Sequence, residues 1–283
     1  MKNYTIFFYN KLKLIEEADI PSTAHAMTYK LLLALFPFLM FLMTVAGFLD
    51  LDIYDLINTI DNVVPVEALV LVESFGNQII GVHMTGLMYA SLALAVFSST
   101  SAFRTLVAGI NKAHGNADSR HPVLIWVVSF LLVIFFTAAF VLTMVGLVFR
   151  THIEDFLIEF NVVAPALTWV YNLLVIASNI FVVMLAVLVM NYVSLYKKIP
   201  IKKIIPGSIF TVIVWIAASY GFSFFVSNFS RMATVYGSVA AVMVLMIWLN
   251  IICHVMLYGG VINALLMKPS EKIPAYTPDG KFL

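Results

Sequence analysis

Six stretches of the 283-residue chain are long and apolar enough to cross a bilayer, at about 22–49, 83–103, 122–149, 166–193, 207–227 and 238–267. A helix rises 1.5 Å per residue, so about 20 apolar residues cover roughly 30 Å of hydrocarbon. Lipid offers backbone groups no hydrogen-bond partner, and helices satisfy theirs within the segment. The fold class that follows is an all-α membrane protein with six transmembrane helices. Composition agrees, with 62% of residues apolar and 11% charged, against roughly 25% charged in a soluble domain. Pro37, near the middle of the first stretch, predicts a tilt or kink there, with the freed carbonyl met by neighbouring helices.

Positive charge stays on the cytoplasmic side during insertion, so the Lys and Arg positions orient the bundle. With the N-terminus inside, the cytoplasmic segments hold Lys2, Lys11 and Lys13; Arg104, Lys112 and Arg120; Lys197, Lys198, Lys202 and Lys203; and Lys268, Lys272 and Lys281. The outer loops receive Arg150 and Arg231 and are otherwise acidic, with Asp50, Asp52, Asp55, Asp61, Glu154 and Asp155 among them. Both termini are therefore expected in the cytoplasm, residues 1–21 and 268–283 flanking a transmembrane domain over 22–267. Residues 1–21 are charged and have no apolar core, which makes the first span its own insertion signal. In the loop 50–82, Leu51, Leu56 and Ile60 before Pro65 and Leu69, Phe75 and Ile79 after it recur at helical spacing. They predict an extracytoplasmic amphipathic helical hairpin lying on the membrane or capping the bundle.

Few residues offer chemistry. The net charge of +1 gives no general attraction to nucleic acid, and the basic loops are too short for an RNA platform. Cys253, the single cysteine, rules out an internal disulfide and a Cys/His zinc framework. No metalloprotease helix, phosphate loop or nucleophile elbow occurs, so no catalytic residue, metal or cofactor is expected, and no enzyme. The spans also hold no acidic residue of the kind that often serves a proton- or sodium-coupled carrier.

Polar groups inside a span ask for a partner or a cavity. Lys30 lies well inside the first span beside Tyr29, and its stem could snorkel to the headgroups or turn inward. Asn250, His254 and Tyr258, at i, i+4 and i+8, share one face of the last span. Asn172 and Asn179 form a similar stripe on the fourth, where glue between helices is the default reading. Near the inner mouth, Ser98 to Ser101 precede Arg104, and Asn111, Lys112, His114, Arg120 and His121 follow. The cluster Lys197, Lys198, Lys202 and Lys203 satisfies topology and could touch anionic lipid as well.

Three blocks resemble the YihY/BrkB family of bacterial inner-membrane proteins. They are Ala24-His25-Ala26-Met27-Thr28-Tyr29 leading to Leu35-Phe36-Pro37-Phe38; Phe103-Arg104 through Gly109-Ile110-Asn111-Lys112-Ala113-His114-Gly115; and Tyr236-Gly237-Ser238-Val239-Ala240-Ala241 followed by Trp248-Leu249 and Gly259 to Asn263. The resemblance implies a multi-pass protein of the bacterial plasma (inner) membrane with both ends cytoplasmic. It also implies a transporter or exporter, although the family has carried a ribonuclease label that these residues do not support. Val261 stands where many members have Glu, and Lys30 where they have an aromatic or polar residue.

Taken together, the expectation is a transporter of an unidentified anionic or amphiphilic substrate, its path lined by Tyr29, Lys30, Arg104, Asn111, Asn250, His254 and Asn263. The alternative is a non-transporting scaffold for envelope biogenesis that engages lipid or a protein through the 50–82 hairpin. Expected partners are membrane lipids, with a second copy of the chain or an envelope protein as further candidates, and no nucleic acid.

Overall fold

The computed structural model describes residue 16 and residues 18–48, 85–115, 118–148, 168–236 and 238–266. These form six long helices: α1 (Ile20–Phe48), α2 (Thr85–Ala113), α3 (Pro122–Val148), α4 (Thr168–Ser194), α5 (Ile205–Tyr236) and α6 (Ser238–Leu265). A 3-10 turn, Ile201–Lys203, leads into α5, and no strand occurs among the described residues. All six helices are long and apolar enough to cross a membrane. The expected hairpin at 50–82, the tail at 268–283 and most of segment 1–21 lie outside the described residues.

Local sequence explains where the helices start and stop. Pro21, Pro122 and Pro206 sit in the first turns of α1, α3 and α5, where a missing N–H costs nothing. Asp19 adopts φ 46°, a conformation Asp tolerates, and its carbonyl accepts from Thr23 N at 3.1 Å. Gly115, at φ 68°, ends α2 by returning its N–H to Lys112 O at 2.9 Å. Two helices outrun their apolar stretches: α2 continues past residue 103 to Ala113, and α5 past residue 227 to Tyr236. The charged residues Arg104 and Lys112 end the hydrophobic run but are good helix formers, so hydropathy marks the lipid boundary and not the helix end. α1 runs unbroken through Pro37.

Helices adjacent in sequence pack side by side, α6 closes the ring against α1, and α2 reaches inward to α4 and α6. The starts of α1, α3 and α5 and the ends of α2, α4 and α6 share one end of the bundle, here the basic end. Its core is built from Ala24, Met27, Leu106, Ile110, Val187 and Leu257, all nearly or fully buried. Outward-facing Phe181, Ile213 and Phe224 are largely exposed, as lipid-facing side chains are.

Candidate functional site

At the basic end the last carbonyls of α4 lack helical partners, and three side chains supply them. Asn111, buried on α2, donates from Nδ2 to Ser194 O at 2.8 Å and accepts from Tyr196 N at 2.8 Å. Arg120 donates from Nη2 to Ser194 O at 2.8 Å while its guanidinium pairs with Asp118. Hydrogen bonds from Arg120 hold the Asp118 carboxyl below its ordinary range although burial opposes them. Lys198 donates from Nζ to Tyr192 O at 3.0 Å and Val193 O at 3.3 Å, its ammonium 4.9 Å from the centre of the Tyr192 ring. Burial, then the charge of Arg120, lowers its pKa.

A second tie joins α4, α5 and α6. Asn263 Oδ1 accepts from Gly207 N at 2.7 Å, and Asn191 Nδ2 donates to Ser208 Oγ at 3.3 Å. A Cβ built on Gly207 or Gly259 would overlap the facing helix, through the Gly259 carbonyl in one case and the Thr211 hydroxyl in the other. Only glycine permits that approach, the usual device where helices associate without a hydrophobic driving force.

Lys30 turns inward to α2, its Nζ donating to Thr105 Oγ1 at 2.6 Å and Ser101 O at 3.5 Å. Arg104 is exposed on α2 and close enough to Lys30 for the two charges to interact. Tyr29 is exposed on α1. Lys197 and Lys202 are exposed, whereas Lys203 is half-buried.

Between α1 and α6, Asn250 Nδ2 lies 2.8 Å from His25 Nδ1 and 3.3 Å from Thr28 Oγ1, and His254 Nδ1 lies 2.8 Å from Asn250 O. The two imidazoles meet edge to face with centroids 5.2 Å apart. A cleft of about 360 Å³, lined by Phe210 and Val214 of α5 and by Asn250, His254 and Tyr258 of α6, opens beside them.

Away from the basic end the helices part. A cavity of about 660 Å³ lies among α3, α4 and α5, walled by apolar side chains that include Phe136, Phe140, Ile180, Val183 and Trp215. Its polar groups are Thr143, Asn179, Ser219, Tyr220 and Ser223. The hydroxyls of Thr143 and Ser219 donate back to Ala139 O and Trp215 O, which leaves their oxygens as acceptors. Asn179 lines the cavity too, and its Nδ2 is buried with no hydrogen-bond partner.

The seven residues expected to line one path are thus not brought together. Asn111 and Asn263 sit in the helix ties, Lys30 and Arg104 between α1 and α2, Asn250 and His254 at the α1–α6 cleft, and Tyr29 faces outward. Sequence reasoning missed His25, Asp118 and the hydroxyls of the large cavity. Asp118 carried a signal as the one acid in a basic connector, and Ser219 and Ser223, at i and i+4, form a polar stripe on an apolar helix. Nothing local pairs His25 with His254. Among the described residues no three His, Cys, Asp or Glu side chains converge as metal ligands.

Comparison with known proteins agrees with this architecture. The chain is 28% identical over 257 residues to a protein of Bacillus subtilis (strain 168) named "Putative ribonuclease-like protein YfkH", covering 91% of this chain and 93% of that one. No solved structure matches. The family model described as "Virulence factor BrkB" matches residues 12–279. With that match over nearly the whole sequence and six membrane-spanning helices, the chain is a multi-pass membrane protein that belongs to the BrkB family.

Proposed function

We propose that this protein is a carrier of an amphiphile across the bacterial inner membrane, and not an enzyme. The chemistry of the large cavity carries the reading. An apolar chamber of about 660 Å³ suits a hydrocarbon body, and the unpartnered Asn179 amide with the Thr143, Ser219, Tyr220 and Ser223 hydroxyls suits a small polar head. Lys30 and Arg104 favour an anionic cargo. They place two positive charges within the membrane part of α1 and α2, and no carboxylate forms an ion pair with either among the described residues. In this reading both termini are cytoplasmic, the lysines at 197–203 rest on anionic headgroups, and membrane lipids are the partners. The ribonuclease in the relative's name belongs to that relative.

Transport by the purified protein in liposomes tests the proposal, with a fluorescent anionic amphiphile as probe. Protein-dependent movement across the bilayer is expected, with at least a tenfold loss when Ser219→Trp fills the cavity. No movement above empty liposomes, or full movement with the cavity filled, overturns it.

A further inference from the structure

The bonds at the α1–α6 contact decide which nitrogen of each imidazole carries hydrogen. A carbonyl only accepts, so His254 Nδ1 donates to Asn250 O at 2.8 Å, and Nε2 of the neutral ring is left as a bare lone pair. The Thr28 hydroxyl spends its hydrogen on Ala24 O at 2.8 Å, so its oxygen accepts from Asn250 Nδ2 at 3.3 Å. That contact orients the Asn250 amide, whose other hydrogen goes to His25 Nδ1 at 2.8 Å. Neutral His25 therefore carries its hydrogen on Nε2. One asparagine holds two facing rings in opposite tautomers.

We propose that His254 Nε2 is a proton-binding site of this membrane protein, its ring held by the backbone carbonyl of residue 250 and, edge to face, by His25. A proton arriving through the adjoining cleft converts the bare Nε2 to N–H and breaks none of the bonds just described. Protonating His25 is different. It places a hydrogen on Nδ1 against the Asn250 amide N–H, so the amide has to turn over and its Nδ2 leaves Thr28. Taking up a proton at His254 thus leaves the network intact, whereas at His25 it costs the contact between Asn250 and Thr28.

Few titratable groups stand around the two rings. α1 contributes His25, Thr28 and Tyr29, α5 contributes Phe210 and Val214, and α6 contributes Cys253 and Tyr258. Lys30 of α1 turns to Thr105 of α2, with the Arg104 charge near it. Glu16, Asp19 and Asp118 are the carboxylates among the described residues, and none forms an ion pair with either imidazole. The Tyr258 ring, its centroid 6.1 Å from that of His254, lies near the reach at which an aromatic face attracts a cation. The inference is independent of the carrier reading, because a proton site needs no particular cargo and loss of either leaves the other standing.

Nitrogen NMR of the full-length protein, labelled with 15N-histidine in lipid nanodiscs, tests it over pH 8.5 to 5. His25→Gln and His254→Gln each remove one pair of signals, and either variant alone suffices for assignment. The expected high-pH spectrum shows His254 protonated on Nδ1 and His25 on Nε2. On acidification Nε2 of His254 gains hydrogen while its Nδ1 keeps the bond to the Asn250 carbonyl. Reversed tautomers, or an Nε2 of His254 still bare at the acid end of the range, would overturn the proposal. Asn250→Ala is expected to mix the tautomers of His25, which loses the side-chain amide, and to leave His254 protonated on Nδ1, whose acceptor is the backbone carbonyl of residue 250, while helicity by circular dichroism is retained. An unchanged His25 tautomer, or a mixed one at His254, overturns these assignments, and if the variant fails to fold the wild-type spectrum decides alone.

Discussion

At the basic end Gly207 and Gly259 bring α5 and α6 so close that an added Cβ on either would strike the other helix. At the opposite end a Cβ on Gly86 or Gly221 would meet nothing within 4 Å. The same residue type therefore does opposite work in the two halves. In the tight half, glycine and asparagine join helices, and polar atoms are spent on backbone groups that lipid cannot satisfy. The wide half leaves a cavity lined by Asn179 and by the hydroxyls of Thr143, Ser219, Tyr220 and Ser223. Close helix contact and open volume are thus kept apart in the two halves.

Several substitutions would break or sharpen this contrast. The largest effect is expected from Arg120→Ala, which strands Asp118 and uncovers Ser194 O; loss of the charged donor from a partly buried, hydrogen-bonded pair costs up to about 3 kcal/mol. Thermal unfolding in detergent reads it. The same pair carries a pH signature. The carboxyl pKa of Asp118 is depressed in the fold, so its contribution is complete above the unfolded value and disappears as pH falls through the folded one. The wild type is expected to lose this stability only in acid below the ordinary carboxylate range, and Asp118→Asn to remove that acid-dependent part.

Next comes Gly207→Ala, where overpacking against the Gly259 carbonyl and the Asn263 amide costs about 1–3 kcal/mol. Gly221→Ala, the same change where the Cβ meets open space, is expected to stabilise by about 0.5–1 kcal/mol through helix propensity. A similar loss at both glycines in unfolding midpoints would erase the distinction between the halves. The smallest stability effect is expected at Asn179→Leu, under about 1 kcal/mol. Amphiphile movement should nevertheless fall, because the cavity's free donor is gone. Stability lost there without any change in transport would make Asn179 another tie.

Much of the architecture was legible from hydropathy alone. All six spans were, because lipid demands length and apolarity from each one separately. The extensions of α2 and α5 were not, since a helix can continue in water after its apolar run has ended. Asn111, in the basic connector, and Asn263, in the last span, stood out as candidates, yet their partners are the carbonyl of Ser194 and the N–H of Gly207. A spacing pattern carries no such information. Asn250 and His254 shared a helix face as the i, i+4 rule requires, but the other ring of the pair lies more than two hundred residues away in the chain.

By itself, then, the sequence determined the environment and the number of crossings, because the cost of a polar or charged group in hydrocarbon is paid residue by residue. Tertiary structure alone decided which polar groups are spent on holding helices together and which remain open to a ligand or a proton. That distinction depends on what each side chain meets across the bundle, down to the nitrogen of His254 that Asn250 leaves bare.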